Sequence, residues 1–302
     1  MQVSRMTVKR KHWEPLAFAS PSLVLIGLVI VFPLAYAFYL SLQNFDLSIG
    51  PDYEYVGLQN YTEALFHDAR FWASVRNTAV IIAPALVAEL LLGLGLALLL
   101  NRKIRGRPII TALLAIPPMV SPVMAAMAWR MMFGVKYGAI NNMGLQLGLI
   151  DVYFDWFSTP FRSILAVVLV DVWHNTPFMM LVLLAGLQSI PQDLYEAARA
   201  DGASAWKSFW FITLPLLKFT AAVAVMIRMI DLTKLFGLKI VLTFGGPGGA
   251  TETLAFNTYL VGFNDFRMSY ASALSYLIIL IVLVLTLVFL RLSRPRDARA
   301  AA

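Results

Sequence analysis

Six long apolar segments separated by short charged ones predict an all-α integral membrane protein with six transmembrane helices. Composition points the same way. Of 302 residues, 60% are hydrophobic and 14% charged, against about 25% charged in an ordinary soluble domain. The mean hydropathy is +0.74. Lys and Arg are also unevenly shared among the loops, as membrane orientation requires.

The spans fall roughly at 16–42, 76–100, 108–133, 161–188, 216–244 and 269–291. Each exceeds the ~20 residues that cross a hydrocarbon core of ~30 Å. The first is too long for a signal-peptide core, and no small-x-small cleavage site follows it closely, so it is read as a retained helix. Prolines at 84, 117, 118, 122 and 177 lie in or near spans and predict bends. The Pro117-Pro118 pair should interrupt the third span. Strands are not expected, since an open sheet edge goes unsatisfied in lipid.

Charge in the loops sets the orientation. One side holds Arg5, Lys9, Arg10 and Lys11; Arg102, Lys103, Arg105 and Arg107; Arg199, Lys207 and Lys218; and Arg291, Arg294, Arg296 and Arg299. The other holds Arg70, Arg76, Lys136, Arg162 and Arg267, with most of the acids: Asp46, Asp52, Glu54, Glu63, Asp68, Asp151, Asp155, Glu252 and Asp265. Both termini and the 189–218 segment are therefore expected to be cytoplasmic. The formal charge of +7 is explained by orientation, not by nucleic acid.

The chain has no cysteine and 3 histidines, which excludes disulfides, thiolate catalysis and cysteine-held metals. It carries no H-E-x-x-H, G-x-S-x-G or P-loop motif. An enzyme is not expected, and any ATP hydrolysis belongs to another chain.

The most telling polar segment is Tyr195-Glu196-Ala197-Ala198-Arg199-Ala200-Asp201-Gly202, followed by Ile212-Thr213-Leu214-Pro215. Ser189 and Gln192 suggest a capping box. Leu194, Ala197 and Ala198 share one helix face. Glu196 and Arg199 lie three apart and can pair. Gly202 suits the left-handed turn that ends a helix.

This pattern of E-A-A, three residues, Gly, nine residues, I-x-L-P resembles the EAA loop of bacterial ATP-binding-cassette importer permeases, which docks the ATPase subunit. Leu184 to Pro191, Val241 to Gly248 with Thr251 to Leu254, and Pro21 to Asn44 resemble the carbohydrate-type group, which includes the maltose and glycerol-3-phosphate permeases. Phe236-Gly237 departs from it; relatives often carry an aspartate after the aromatic.

The resemblance implies a type I importer (MetI-like) core in a bacterial cytoplasmic (inner) membrane. It divides the chain into 1–70 (tail, first helix and external loop), a five-helix core at 71–292 with the coupling loop near 189–218, and a tail at 293–302. It implies a second homologous permease as a heterodimeric partner, two ATP-binding subunits, and an extracytoplasmic solute-binding protein. ATP and Mg sit on the ATPase; no cofactor or metal is expected on this chain. Leu194, Tyr195, Glu196, Ala197, Ala198, Asp201 and Gly202 become the coupling residues. An ion-coupled secondary transporter, or a permease for a non-sugar solute, is the alternative.

Ionised side chains in a span need a reason. The candidates are Glu89, Arg130, Asp171, His174, Asn175, Arg228, Asp231 and Lys234. Asn175 lies 14 residues before Ser189 and Asp231 lies 16 after Pro215, or ~21 and ~24 Å along two helices, so both reach one level. Asp171, Asn175 and Asp231 suit sugar hydroxyls; Trp173 or Phe178 suits a sugar's C–H face. By resemblance to the maltose-type permease, solute contacts match Asp171, His174, Asn175, Phe178, Arg228, Asp231, Leu232 and Leu235. The competing reading makes Arg228, Asp231 and Lys234 a structural ion network. Glu89 and Arg130 are read as structural.

Overall fold

The computed structural model describes residues 14–47, 50, 53–102, 104–234 and 236–293. Leu235 and the charges at Arg5, Lys9, Arg10, Lys11, Asp52, Lys103, Arg294, Arg296 and Arg299 lie outside them. In chain order come α1 (Glu14–Ile26), α2 (Phe32–Ser41), β1 (Gln43–Asn44), β2 (Glu54–Tyr55), α3 (Gln59–Thr62), α4 (Ala69–Leu100), α5 (Arg107–Leu114), α6 (Pro122–Met132) and α7 (Ala139–Gln146). Then follow α8 (Pro160–Gln188), α9 (Gln192–Ala200), α10 (Ala205–Ser208), α11 (Leu214–Thr233), α12 (Gly237–Leu242), α13 (Leu254–Tyr259) and α14 (Met268–Ser293).

Five stretches are long and apolar enough to cross a membrane: Phe18–Ser41, Ala69–Leu100, Pro160–Gln188, Ala205–Thr233 and Met268–Arg291. π-helical turns at Gly27–Val31 and Phe209–Thr213 join α1 to α2 and α10 to α11. The third expected span, 108–133, is broken into α5 and α6 by a 3₁₀ turn at Pro117–Met119. Pro117 and Pro118 donate no hydrogen bond, and Ser121 is extended because Pro122 follows it. The fifth span lies earlier in the chain than expected. It ends at Thr233, and α12 restarts at Gly237. The second starts earlier, because Asp68 caps it by accepting from the Arg70 and Phe71 amides at 2.8 and 3.1 Å. The unexpected ribbon β1–β2 pairs two residues per strand and lies outside the five stretches.

Helices α4 and α8 run parallel and pack along their lengths. Near one end Ile81 and Ala85 meet Ala166, Val167 and Val170, and near the other Ala97 and Leu100 meet Met179 to Leu187. A Cβ on Gly93 would lie 2.8 Å from Met179 Cγ, and one on Gly186 the same distance from Leu217 Cδ1. Small residues thus let α4 approach α8, and α8 approach α11, which is how helices associate where water supplies no driving force. The first helix rests on α14 by its second half: Tyr276 Oη donates to the Leu34 carbonyl at 2.6 Å, and Phe38 meets the Tyr276 ring edge-on.

The molecule therefore has two ends. One gathers α9 and the termini of α4 and α8. The other gathers the ribbon, α3, α7 and the turn at 245–253. Ion pairs tie the second end together: Arg70 to Glu252 at 2.7 Å, Arg70 to Asp265 at 3.4 Å, and Arg267 to Glu63 at 2.8 Å. Asn77 holds the turn by donating to the Gly249 carbonyl at 2.8 Å.

Candidate functional site

The α9 segment is built locally. The expected capping box is absent. Ser189 instead closes α8, its hydroxyl donating to the Gly186 carbonyl at 2.8 Å, and Pro191 stands at the N-cap with no side-chain bond. Both follow from Pro191, whose extended backbone separates the two helices (ψ 134). At the far end, Gly202 adopts φ +74. Its amide donates to the Arg199 carbonyl at 3.1 Å and that of Ala203 to the Ala198 carbonyl at 2.8 Å, the paired bonds of a Schellman turn. Ser204 then caps α10.

One side of α9 is anchored and the other is bare. Tyr195 packs on the α8–α11 core and its hydroxyl meets Thr213 Oγ1 at 2.9 Å. Leu194 is 43% exposed, and Glu196, Ala197, Asp201 and Gly202 are exposed, with Ala198 partly so. Glu196 and Arg199 form no ion pair; Arg199 Nε donates to the Tyr195 carbonyl at 3.3 Å.

The second site lies in the middle of the helices. Arg228 Nε and Nη2 donate to the two Glu89 oxygens at 2.7 and 2.8 Å, and Nη2 also reaches Asp171 Oδ2 at 3.1 Å. Exposure is 3% for Arg228, 0% for Glu89 and 1% for Asp171. Asn175 Nδ2 donates to the Asp171 carbonyl and Oδ1, both at 3.1 Å. His174 Nε2 lies 3.0 Å from the Val120 carbonyl. A carbonyl only accepts, so Nε2 carries the proton, and the bond docks α8 on the broken third span.

Of the sequence-predicted pocket residues, the structure brings Asp171, Asn175 and Arg228 together. Leu232 is fully buried in the core formed with α4, α6, α8 and α12. Asn175 and Phe178 are half-buried, while Asp231 and Lys234 are exposed on the single chain. The ion network exists with different partners: Arg228 pairs with Glu89 and Asp171, not with Asp231. Arg130 donates to the Val241 carbonyl at 2.6 Å. Sequence reasoning treated Glu89 as structural but missed its partner, which lies 139 residues away. The usable signal was general: a buried guanidinium demands a carboxylate, and few span positions offer one.

Among the described residues, no group of His, Cys, Asp and Glu could hold a metal ion. What the arrangement offers is hydrogen-bonding groups between bent and broken helices, with an exposed small helix at one end. That describes a polytopic membrane permease.

Residues 89–300 match the family model described as binding-protein-dependent transport system inner membrane component. The chain belongs to this family and is a permease component of a binding-protein-dependent transport system. It is 42% identical over 280 residues to the trehalose/maltose transport system permease protein MalF of Thermococcus litoralis, covering 91% of this chain and 92% of that one. It is 36% identical to the sulfoquinovosyl glycerol transport system permease protein SmoG of Agrobacterium fabrum, covering 92% and 89%. It is 34% identical to the trehalose transport system permease protein SugA of Mycobacterium tuberculosis, covering 96% and 90%. In fold it is similar to a chain of a bacterial ABC transporter that imports the acidic polysaccharide alginate, with TM-score 0.79, 23% identity, and coverage of 93% and 95%.

Proposed function

We propose that this permease imports a sugar or related polyol in an ATP-driven transporter and receives the ATPase stroke through α9. The observation that carries this reading is the exposed face of α9 (Leu194, Glu196, Ala197, Ala198), clamped between Pro191 and the Gly202 turn and anchored to the transmembrane helices through Tyr195. A small rigid knob of this kind passes force to α8 and α11, the helices that hold Asp171, Asn175 and Arg228. Relatives named for trehalose, maltose and sulfoquinovosyl glycerol support the sugar class.

In this reading the 71–292 core forms half the path, a homologous permease forms the other half, and two ATP-binding subunits dock below with ATP and Mg. A solute-binding protein docks on the outer side, and a solved alginate transporter carries such a periplasmic protein. Residues 1–70 supply the tail, first helix and outer loop, and both termini are cytoplasmic in a bacterial inner membrane. Asn175, Phe178 and Asp231 meet the solute, with Asp171, His174, Arg228 and Leu232 behind them.

The complex, reconstituted with its binding protein, should import labelled maltose or trehalose only with ATP inside the membrane-protected ATPase compartment. Gly202→Pro should insert normally but hydrolyse ATP without uptake, because proline cannot adopt φ +74 and has no amide for Arg199. Uptake driven by an ion gradient without ATP, or normal uptake by Gly202→Pro, would overturn the reading.

A further inference from the structure

We infer that Glu89, Arg228 and Asp171 form a hydrogen-bonded positioning chain that fixes the amide of Asn175, so that Asn175 presents its carbonyl oxygen to the solute. The inference rests on the solute site proposed above. The chain runs from the fully buried Glu89 to the half-buried Asn175. Glu89 on α4 holds two Arg228 donors in a fork-on-fork pair at 2.7 and 2.8 Å. Arg228 on α11 gives Nη2 as well to Asp171 on α8 at 3.1 Å. Asp171 spends its other oxygen on Asn175 Nδ2, again at 3.1 Å. The Asp171 backbone carbonyl, also 3.1 Å from Nδ2, only accepts, so the Asn175 nitrogen must face Asp171 and the Asn175 oxygen lies on the other side, 3.5 Å from His174 Nδ1. Exposure changes along the same chain, from 0% at Glu89 and 3% at Arg228 to 1% at Asp171 and a half-buried Asn175.

Two consequences follow. Both carboxylate oxygens of Asp171 are engaged inside the protein, as are Nε and Nη2 of Arg228, so Asp171 acts through Asn175 instead of touching solute. And a solute hydroxyl at Asn175 meets an acceptor of fixed direction, which selects hydroxyls oriented to donate. A free asparagine amide could flip and would discriminate less.

A double-mutant cycle on the assembled transporter with its binding protein tests this. Uptake of labelled maltose and trehalose is measured for Asn175→Ala, Asp171→Asn and the double variant, at matched complex levels. Asp171→Asn leaves the Glu89–Arg228 fork in place. If it does not assemble, Asp171→Glu replaces it in the cycle. The expected result is a rise of about tenfold in apparent KM for each single variant, the loss of roughly one oriented hydrogen bond, with Vmax little changed. The double variant should then be no worse than Asn175→Ala, within about twofold, because one variant acts through the other. Effects that multiply would overturn the positioning role while leaving the site. An unchanged KM in Asn175→Ala would overturn the site itself.

Discussion

The α9 segment and the Glu89–Arg228–Asp171 cluster are held by opposite means. The first is fixed by neighbours in sequence: Pro191 before it, Gly202 after it, and a Schellman turn spanning six residues from Ala198 to Ala203. Its outward face has no partner among the described residues. The second is fixed by residues 139 and 57 positions apart, and almost nothing of it reaches the surface. A segment that must meet another protein can be specified locally and left exposed. A cluster of charges among apolar helices has to be closed on itself, since an unpartnered charge there costs several kcal/mol. The contrast predicts that breaking the Glu89–Arg228 fork destroys assembly, whereas damage to α9 leaves an assembled but uncoupled permease.

The largest effect should come from Glu89→Ala. It leaves the Arg228 guanidinium with Asp171 alone, and breaking a buried pair this way costs about 3–5 kcal/mol. Complex yield after detergent extraction and the thermal midpoint of what is recovered should both fall. An intact complex would break the comparison. Next is Gly93→Val. A Cβ there sits 2.8 Å from Met179 Cγ and 3.0 Å from the Met180 nitrogen, so α4 and α8 must part, at about 1–3 kcal/mol. The same two measurements check it, with a smaller loss than Glu89→Ala.

Gly202→Ala probes the exposed region. Nothing lies within 4 Å of a Cβ at Gly202, so the only penalty is the left-handed backbone, about 1–2 kcal/mol. It should loosen the end of α9, seen as faster amide exchange at 199–203, while thermal stability of the complex stays as in the wild type. Tyr195→Phe removes one hydroxyl contact with Thr213, about 0.5–1.5 kcal/mol. It should raise the ATP hydrolysed per solute imported only slightly.

Much of this was legible in the sequence, and the reason is locality. Helix period, proline interruption and the Gly202 turn depend on residues within a turn or two, so the spans, the break at Pro117-Pro118 and the end of α9 could be read directly. The ends of the second and fifth spans were misplaced, because an Asp68 cap and a helix stop at Thr233 lie in segments whose hydropathy gives no warning. The capping box at Ser189 and Gln192 fitted its motif, yet Pro191 held the residues apart. The partner of Arg228 was hidden. Asp231 sits one turn away and Glu89 half a chain away, and the packing of α4 and α11 on α8, permitted by Gly93 and Gly186, brings Glu89 within 2.7 Å. The Arg228 cluster was therefore legible as a level along the helices, not as a set of contacts.

The central claim is that α9 is the surface that meets the ATPase. The chain has no cysteine, so Ala197→Cys places one thiol on the exposed face of α9, and Leu149→Cys places one at the opposite end, where Leu149 is 75% exposed. A short cysteine-reactive cross-linker applied to the assembled complex should join Ala197→Cys to the ATPase subunit and leave Leu149→Cys unlinked to it. Linkage from Leu149→Cys with none from Ala197→Cys would contradict the account.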